Sequence, residues 1–279
     1  MLKKETLRRA IPVVLLAFLS FTACKDNPAD PQETEKPPLP PLSSMQLDLS
    51  FFSGGAAHTG KASGIETPGP NFNNAALRLL VINATVTLVM AVPVATFGAA
   101  ISQQPVLQSD GKYHWVFSVT ENGKTYQADL AGSLDLANAE SVWEMRITLP
   151  NATPAINNFL WYSGRAKLDN SAGEWHVFDP LQPDAGIEVL HIDWSHPSSE
   201  EATLIFTIVK PDISENGDRL TYSSIDTDRD VVLLDQSSGD SIQIHWDAVT
   251  GEGYLIAPKY RNGEKSCWDG QQNDTTCPN

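Results

Sequence analysis

The sequence predicts a mainly β protein: a large curved antiparallel meander, half-barrel or barrel-like, of about 10 to 12 strands packed around one long apolar helix. Two observations predict this fold. From Lys112 onward, short segments of alternating apolar and polar residues follow one another, separated by turns too short to hold crossover helices. Before them lies one long uncharged stretch in which small and bulky residues recur with helical periodicity.

The first residues predict an export signal at 1–23. Basic residues precede an apolar run from Ile11 to Phe21, IPVVLLAFLSF, and Thr22-Ala23-Cys24 follows. A basic start, an apolar core of this length and small residues before a cleavage point are typical of a secretory signal. The run is short for a permanent membrane span.

The last four residues of this region, Phe21-Thr22-Ala23-Cys24, resemble the bacterial lipobox, although Phe21 replaces the usual leucine. The resemblance implies that Cys24 is acylated, with palmitate among its chains, and becomes the first residue of a mature outer-membrane lipoprotein. Several acyl chains would anchor the protein stably to a lipid bilayer. The alternative is an ordinary signal in which Cys24 stands by chance. Lys25-Asp26 resembles, over a very short match, the signals that send some lipoproteins to the cell surface.

Residues 24–44 are rich in proline and charge, which predicts a disordered tether between the lipid and a single domain at 45–279. The whole chain has a formal net charge of −15. Because residues 1–23 contain four basic residues and one acidic residue, the mature chain would carry about −18. Such a charge repels phosphate backbones, so we expect no nucleic-acid partner.

The long apolar stretch predicts a helix at about 73–102, and residues 79–101 carry no charge. Small residues form one stripe of this helix, and bulkier residues that include Val86 and Phe97 form the opposite stripe. Pro93 is expected to kink or split it. A membrane span is the alternative, but no basic cluster flanks the stretch. We expect a helix buried on most sides inside the curved sheet.

The strands are expected to have one apolar face and one polar face. The segments are Tyr113–Thr120, Lys124–Asp135, Ser141–Leu149, Asn158–Leu168, Glu174–Asp179, Ile187–Trp194, Ala202–Val209, Asp218–Ile225, Arg229–Asp235, Ser241–Trp246 and Gly253–Ala257. Within the segment Asn158–Leu168, the alternation from Leu160 onward is less clean. The side chains expected to line the apolar interior are Trp143, Met145, Ile147, Trp161, Ile242, Ile244, Trp246, Val86 and Phe97.

The two remaining cysteines, Cys267 and Cys277, lie close together at the C-terminal end. An exported protein meets an oxidising compartment, so they are expected to form a disulfide. No Cys-x-x-Cys pattern and no nearby histidine supports a metal site there.

The sequence shows no pattern that identifies a chemical activity. His191 and His196 are five apart, which places them on opposite faces of a strand, and no zinc-binding motif is present. The stretch 226–237 resembles a calcium loop only in its first acidic residues, because Val231 and Ser237 replace the glycine and glutamate required. Neither a nucleophile elbow nor a phosphate-binding loop occurs. We therefore expect no enzyme, no cofactor and no metal.

The pattern as a whole resembles an uncharacterised family of Gram-negative bacterial lipoproteins: a lipobox, a Pro-rich tether, an Ala/Val-rich helix, a Trp-rich antiparallel domain and a C-terminal Cys–Cys loop. Its architecture also resembles the half-barrel lipoproteins that carry lipids or other lipoproteins. We expect a membrane-anchored, non-enzymatic module that binds an apolar ligand or an envelope protein in its interior. The alternatives are a structural or adhesive surface protein with a fully packed core and, third, a hydrolase of envelope polymers.

Overall fold

The computed structural model describes residues 35–53, 68–153 and 155–278. The expected export signal and Cys24 lie outside the described residues. The predicted fold class is confirmed: the described chain forms a 14-stranded antiparallel sheet that is not closed, with 45% of residues in strands and 16% in helices.

Every strand pairs with its neighbours in sequence, so the sheet is a simple meander. The segments predicted between Tyr113 and Ala257 correspond to strands β2 to β12. Three strands of two or three residues, β1, β13 and β14, are additional, and they are too short for alternation to reveal. The strands are β1 Val106–Leu107, β2 Tyr113–Glu121, β3 Lys124–Asp135, β4 Glu140–Leu149, β5 Ile156–Lys167, β6 Ala172–Phe178, β7 Glu188–Ser195, β8 Glu201–Ile208, β9 Arg219–Ile225, β10 Asp228–Leu234, β11 Ser241–Asp247, β12 Gly253–Ile256, β13 Ser266–Trp268 and β14 Asp274–Thr275.

Helix α1 spans Ser50–Ser53 and helix α2 spans Pro70–Ile101, with 3₁₀ turns at Leu42–Ser44 and Arg261–Gly263. The long helix begins slightly before the predicted 73–102 because Pro70 occupies the first turn, where the N–H that proline lacks has no helical partner. It is not split at Pro93, which is buried. Packing holds the helix together at a position that would break an isolated helix.

Helix α2 lies on one face of the sheet, here called the inner face. It contacts β2 and β3 near one end of the strand order and β12 to β14 near the other. Phe97 packs edge-on against Trp175 of β6, with ring centroids 5.4 Å apart. Phe72 packs against Trp268 of β13 at 5.7 Å.

We expected α2 to be buried on most sides, but one side of its first half is exposed to solvent. Leu77, Leu80 and Val81 are 59%, 52% and 60% exposed. One side of the helix covers the inner face, and this part of its other side is exposed to solvent. None of the helices in the described ranges has the length and hydropathy needed to cross a bilayer.

The compact unit begins at Glu35, earlier than the predicted boundary at residue 45. Leu39 and Leu42 pack against the core, and the carbonyl of Leu39 accepts a hydrogen bond from the side-chain amide of Asn170 at 2.9 Å. The buried Ser44 hydroxyl accepts one from Trp175 Nε1 at 3.1 Å. The second half of the predicted tether is therefore part of the folded unit, because its leucines and polar groups find partners on the sheet.

A β-bulge explains the imperfect alternation in β5. Met145 pairs with Tyr162 and Arg146 pairs with Leu160, which leaves Trp161 as the extra residue. A bulge changes the direction of the side chains around it. As a result both Trp161 and its neighbour Tyr162 are buried, with exposures of 7% and 0%.

Candidate functional site

The structure places the predicted interior residues in one continuous hydrophobic core with α2. Ile242 and Val86 are half-buried and pack against this core. The others are buried: Trp143, Met145, Ile147, Trp161, Ile244, Trp246 and Phe97. Side chains of α2 therefore occupy the region in which a ligand was expected. A ligand could reach the apolar residues only at the rim of the sheet.

An open cleft of about 720 Å³, here called the rim cleft, lies where three connections meet. These are the β2–β3 turn, the β4–β5 loop and the β6–β7 loop. Its floor is apolar and buried, and consists of Tyr126, Leu149, Ile156 and Trp161. Its mouth is polar and exposed, and includes Lys124, Thr125, Gln127, Asn151 and Thr153.

Local sequence features position the floor of this cleft. Asn122 and Gly123, both with positive φ, form a two-residue hairpin turn that brings Lys124 opposite Glu121. The β5 bulge brings Trp161 into edge-on contact with Tyr126, with ring centroids 5.8 Å apart. Burial, with a smaller effect of the Glu121 charge, raises the pKa of Tyr126, so its phenol stays protonated.

The part of the cleft formed by the β6–β7 loop is held by a partly buried ion pair. The carboxylate of Asp179, 4% exposed, accepts hydrogen bonds from Lys210 Nζ and from the backbone N–H of Leu181, each at 2.8 Å. Burial raises the pKa of Asp179, but these two donors outweigh it and the pKa is lowered overall. The adjoining Pro180 and Leu181, which line the cleft, are thereby fixed in place.

The opposite face of the sheet, here called the outer face, carries histidines paired with carboxylates. His114 Nδ1 lies 2.8 Å from Asp129 Oδ1, and His245 Nδ1 lies 2.9 Å from Asp230 Oδ1. His191 is directly opposite His176 in the pairing of β6 with β7, and the two rings are 4.6 Å apart.

His196, which is close to His191 in sequence, is not its partner in the fold. His196 contacts the Ser43 hydroxyl at 3.3 Å, and burial lowers its pKa. The partner of His191 is His176, fifteen residues earlier. Only the register of β6 against β7 identifies it, because the spacing matches no linear motif.

The sulfur atoms of Cys267 and Cys277 are at disulfide distance, as predicted. The stretch tested as a calcium loop forms a hairpin, in which Asp226 and Thr227 connect β9 to β10. Comparison with protein-family models, with curated proteins and with solved structures gave no match to this chain. The function is therefore argued from geometry and from the sequence alone.

Proposed function

We propose that this protein is a lipid-anchored envelope protein whose domain binds a small, partly apolar ligand in the rim cleft without transforming it. The observation that carries the proposal is the cleft itself: an aromatic and aliphatic floor that is buried in the fold yet opens to solvent between three loops. Its volume of about 720 Å³ lies in the range of small-molecule sites.

The chemistry of the cleft favours a ligand with one apolar part and one polar part. Tyr126 and Trp161 offer flat apolar surfaces, and such rings bind apolar or ring-shaped groups well. The polar side chains at the mouth, among them Lys124 and Asn151, can hydrogen-bond the other end of the ligand. The lipobox resemblance supports placing this site near a membrane surface, where amphipathic molecules are available.

The direct test uses the compact unit from Glu35 and the amphipathic dye 1-anilinonaphthalene-8-sulfonate as a probe. We expect saturable binding with one dye per chain. Thr153→Trp would place an indole in the cleft mouth and should weaken binding by about tenfold or more, the effect of losing about 1.4 kcal/mol.

The matched control is Ala137→Trp, since Ala137 is exposed in the β3–β4 turn at the opposite end of the strands. It should leave dye affinity unchanged, and circular dichroism should show the same fold for both variants. Dye binding that is equally affected by both substitutions, or that never saturates, would refute the cleft as the site. Mass spectrometry of solvent extracts from the purified unit would then identify the natural ligand.

The second candidate is a structural or adhesive surface protein. It is favoured by the continuous core that α2 forms with the inner face and by the exposed apolar residues Leu77, Leu80 and Val81. Exposed apolar patches of this kind are typical of contact surfaces. This candidate predicts no saturable ligand at the rim cleft, so the dye experiment separates the two.

A further inference from the structure

Two histidines and one glutamate converge on a single point of the outer face. His176 Nδ1 lies 2.8 Å from Glu188 Oε1 and 3.2 Å from His191 Nδ1, and His191 Nδ1 lies 3.5 Å from the same Glu188 oxygen. All three side chains are between a fifth and a third exposed, so the point is open to solvent. These three atoms form a triangle of potential ligand atoms.

A β-bulge brings the glutamate into this triangle. Val177 pairs with Leu190 and Phe178 pairs with Glu188, so Val189 is the extra residue of β7. With strict alternation, Glu188 would share a face with the buried Leu190 and point away from His191. The bulge turns Glu188 to the outer face while Val189 packs against the core.

Two further carboxylates lie on the far sides of the imidazole rings. His191 Nε2 is 3.2 Å from Asp193 Oδ1, and His176 Nε2 is 3.6 Å from Glu174 Oε1. The Asp193 carboxylate favours a proton on Nε2 of His191, which leaves the lone pair of His191 Nδ1 free for the triangle. His176 Nδ1 lies at hydrogen-bond distance from Glu188 Oε1, so it would release the proton that it donates there to solvent when a metal ion binds. Carboxylates in this position commonly orient histidines that bind metals.

We propose that His176, His191 and Glu188 bind one divalent transition-metal ion of the zinc type through the two Nδ1 atoms and one carboxylate oxygen. Metal–ligand bonds of zinc in a tetrahedral site place the ligand atoms about 3.3 Å apart, which lies within the 2.8–3.5 Å range of the separations seen here. Two imidazoles and a carboxylate suit such ions, and the fourth position is left for water or an exogenous ligand.

Two other histidines of the outer face can be compared with this cluster. His114 and His245 each lie beside carboxylates, but neither has a second histidine beside it among the residues that the structure describes. Groups of three residues whose ligand atoms converge occur in the described chain only at β6 and β7, and both contain His191. The site is independent of the rim cleft, so the proposed function does not depend on it.

The test titrates Co²⁺, and then Zn²⁺, into the full chain purified in non-ionic detergent and freed of metal by chelator. We expect one Co²⁺ per chain, the strong visible absorption of a four-coordinate cobalt complex, and its loss when Zn²⁺ displaces the cobalt. His176→Ala and His191→Ala should each weaken Zn²⁺ binding by about 100-fold, and Asp193→Asn by about 10-fold.

His245→Ala is the matched control and should leave the affinity and the spectrum unchanged. Zn²⁺ should raise the thermal midpoint of the control and of the unsubstituted protein, but not that of the double variant His176→Ala/His191→Ala. A Co²⁺ spectrum without the four-coordinate bands, or Zn²⁺ affinity that survives the double substitution, would show that the cluster is only a hydrogen-bonded group and overturn the proposal.

Discussion

Gly164 of β5 and Trp175 of β6 face each other across the sheet, and the indole ring lies directly over the glycine. The same pairing recurs between Gly132 and Trp143 and between Gly253 and Trp268. A glycine without a side chain leaves room for the ring of its cross-strand neighbour, so each pair buries a tryptophan against backbone. Trp143, Trp175 and Trp268 are buried by this means.

Gly164→Ala is expected to destabilise the protein, because the added Cβ would overlap Trp175 and the carbonyl of Glu174. Crowding of this kind costs about 1–3 kcal/mol. The control is Gly98→Ala in α2, where only Leu42 lies near, at 3.8 Å. It should stabilise the protein by about 0.5–1 kcal/mol, since alanine is the better helix former. Urea unfolding measures both, and a Gly164→Ala variant as stable as the parent would disprove the packing argument.

Asp179 makes a pH-dependent contribution to stability. Because its pKa is lower in the folded protein than in the unfolded chain, its contribution is full above about pH 3.9, the ordinary aspartate value. The contribution is lost as the pH falls through the folded-state pKa. Asp179→Asn should cost about 1–3 kcal/mol at pH 7, since Lys210 loses a charged partner.

The check compares the urea midpoints of Asp179→Asn and the parent at pH 7 and at pH 3. The difference should narrow at pH 3, where protonation weakens the ion pair in the parent. Asp184→Asn serves as the control, because Asp184 lies in the same β6–β7 loop but is exposed. An Asp179→Asn deficit of the same size at both pH values would argue against the linkage.

At the scale of elements, the start of α2 is tied to the C-terminal strands by one buried side chain. Asn71, 1% exposed, donates from Nδ2 to the carbonyl of Cys267 at 2.7 Å and accepts from the Tyr260 hydroxyl at 2.8 Å. Its backbone N–H donates to Asp274 Oδ1 at 2.8 Å. The Cys267–Cys277 pair closes the β13–β14 segment, which contains the acceptors Cys267 and Asp274, and a loop of this length contributes about 2–3 kcal/mol.

Asn71→Ala is expected to cost about 2–3 kcal/mol, because the Cys267 carbonyl and the Tyr260 hydroxyl lose their partner. Asn73→Ala is the control in the same helical turn, since Asn73 is exposed and its side chain bonds only to the carbonyl of Pro68 among described residues. It should cost less than about 1 kcal/mol. Chemical unfolding under oxidising conditions distinguishes them, and equal losses would mean that Asn71 does not link the two elements.

Most strands could be predicted from the local sequence, but the bulges could not. Strands β2 to β12 were predictable because alternation and turn residues act within each segment. The bulges at Trp161 and Val189 were not, because they depend on which residues of the neighbouring strand face them. The pairing of His176 with His191 has the same cause, and the rim cleft depends on three loops that are distant in sequence.

At the scale of the whole molecule, the lipobox resemblance predicts that one residue decides where the domain resides. Cys24→Ala should abolish metabolic labelling with palmitate and release the protein from the membrane fraction, since a signal without an acylated cysteine leaves no anchor. Cys277→Ala is the control and should still be labelled. Labelling that persists in Cys24→Ala would exclude this cysteine as the acylation site.

The class of the fold, the meander order and the approximate position of the long helix could be predicted from the amino-acid sequence alone. Alternation, turn residues and helical periodicity are local properties, and they are legible without knowing any contact. Three features follow from tertiary contacts instead: α2 packs on the inner face, the folded unit begins at Glu35, and His176, His191 and Glu188 meet. These features depend on strand register, on bulges and on contacts between distant segments, because burial and proximity are properties of the assembled sheet.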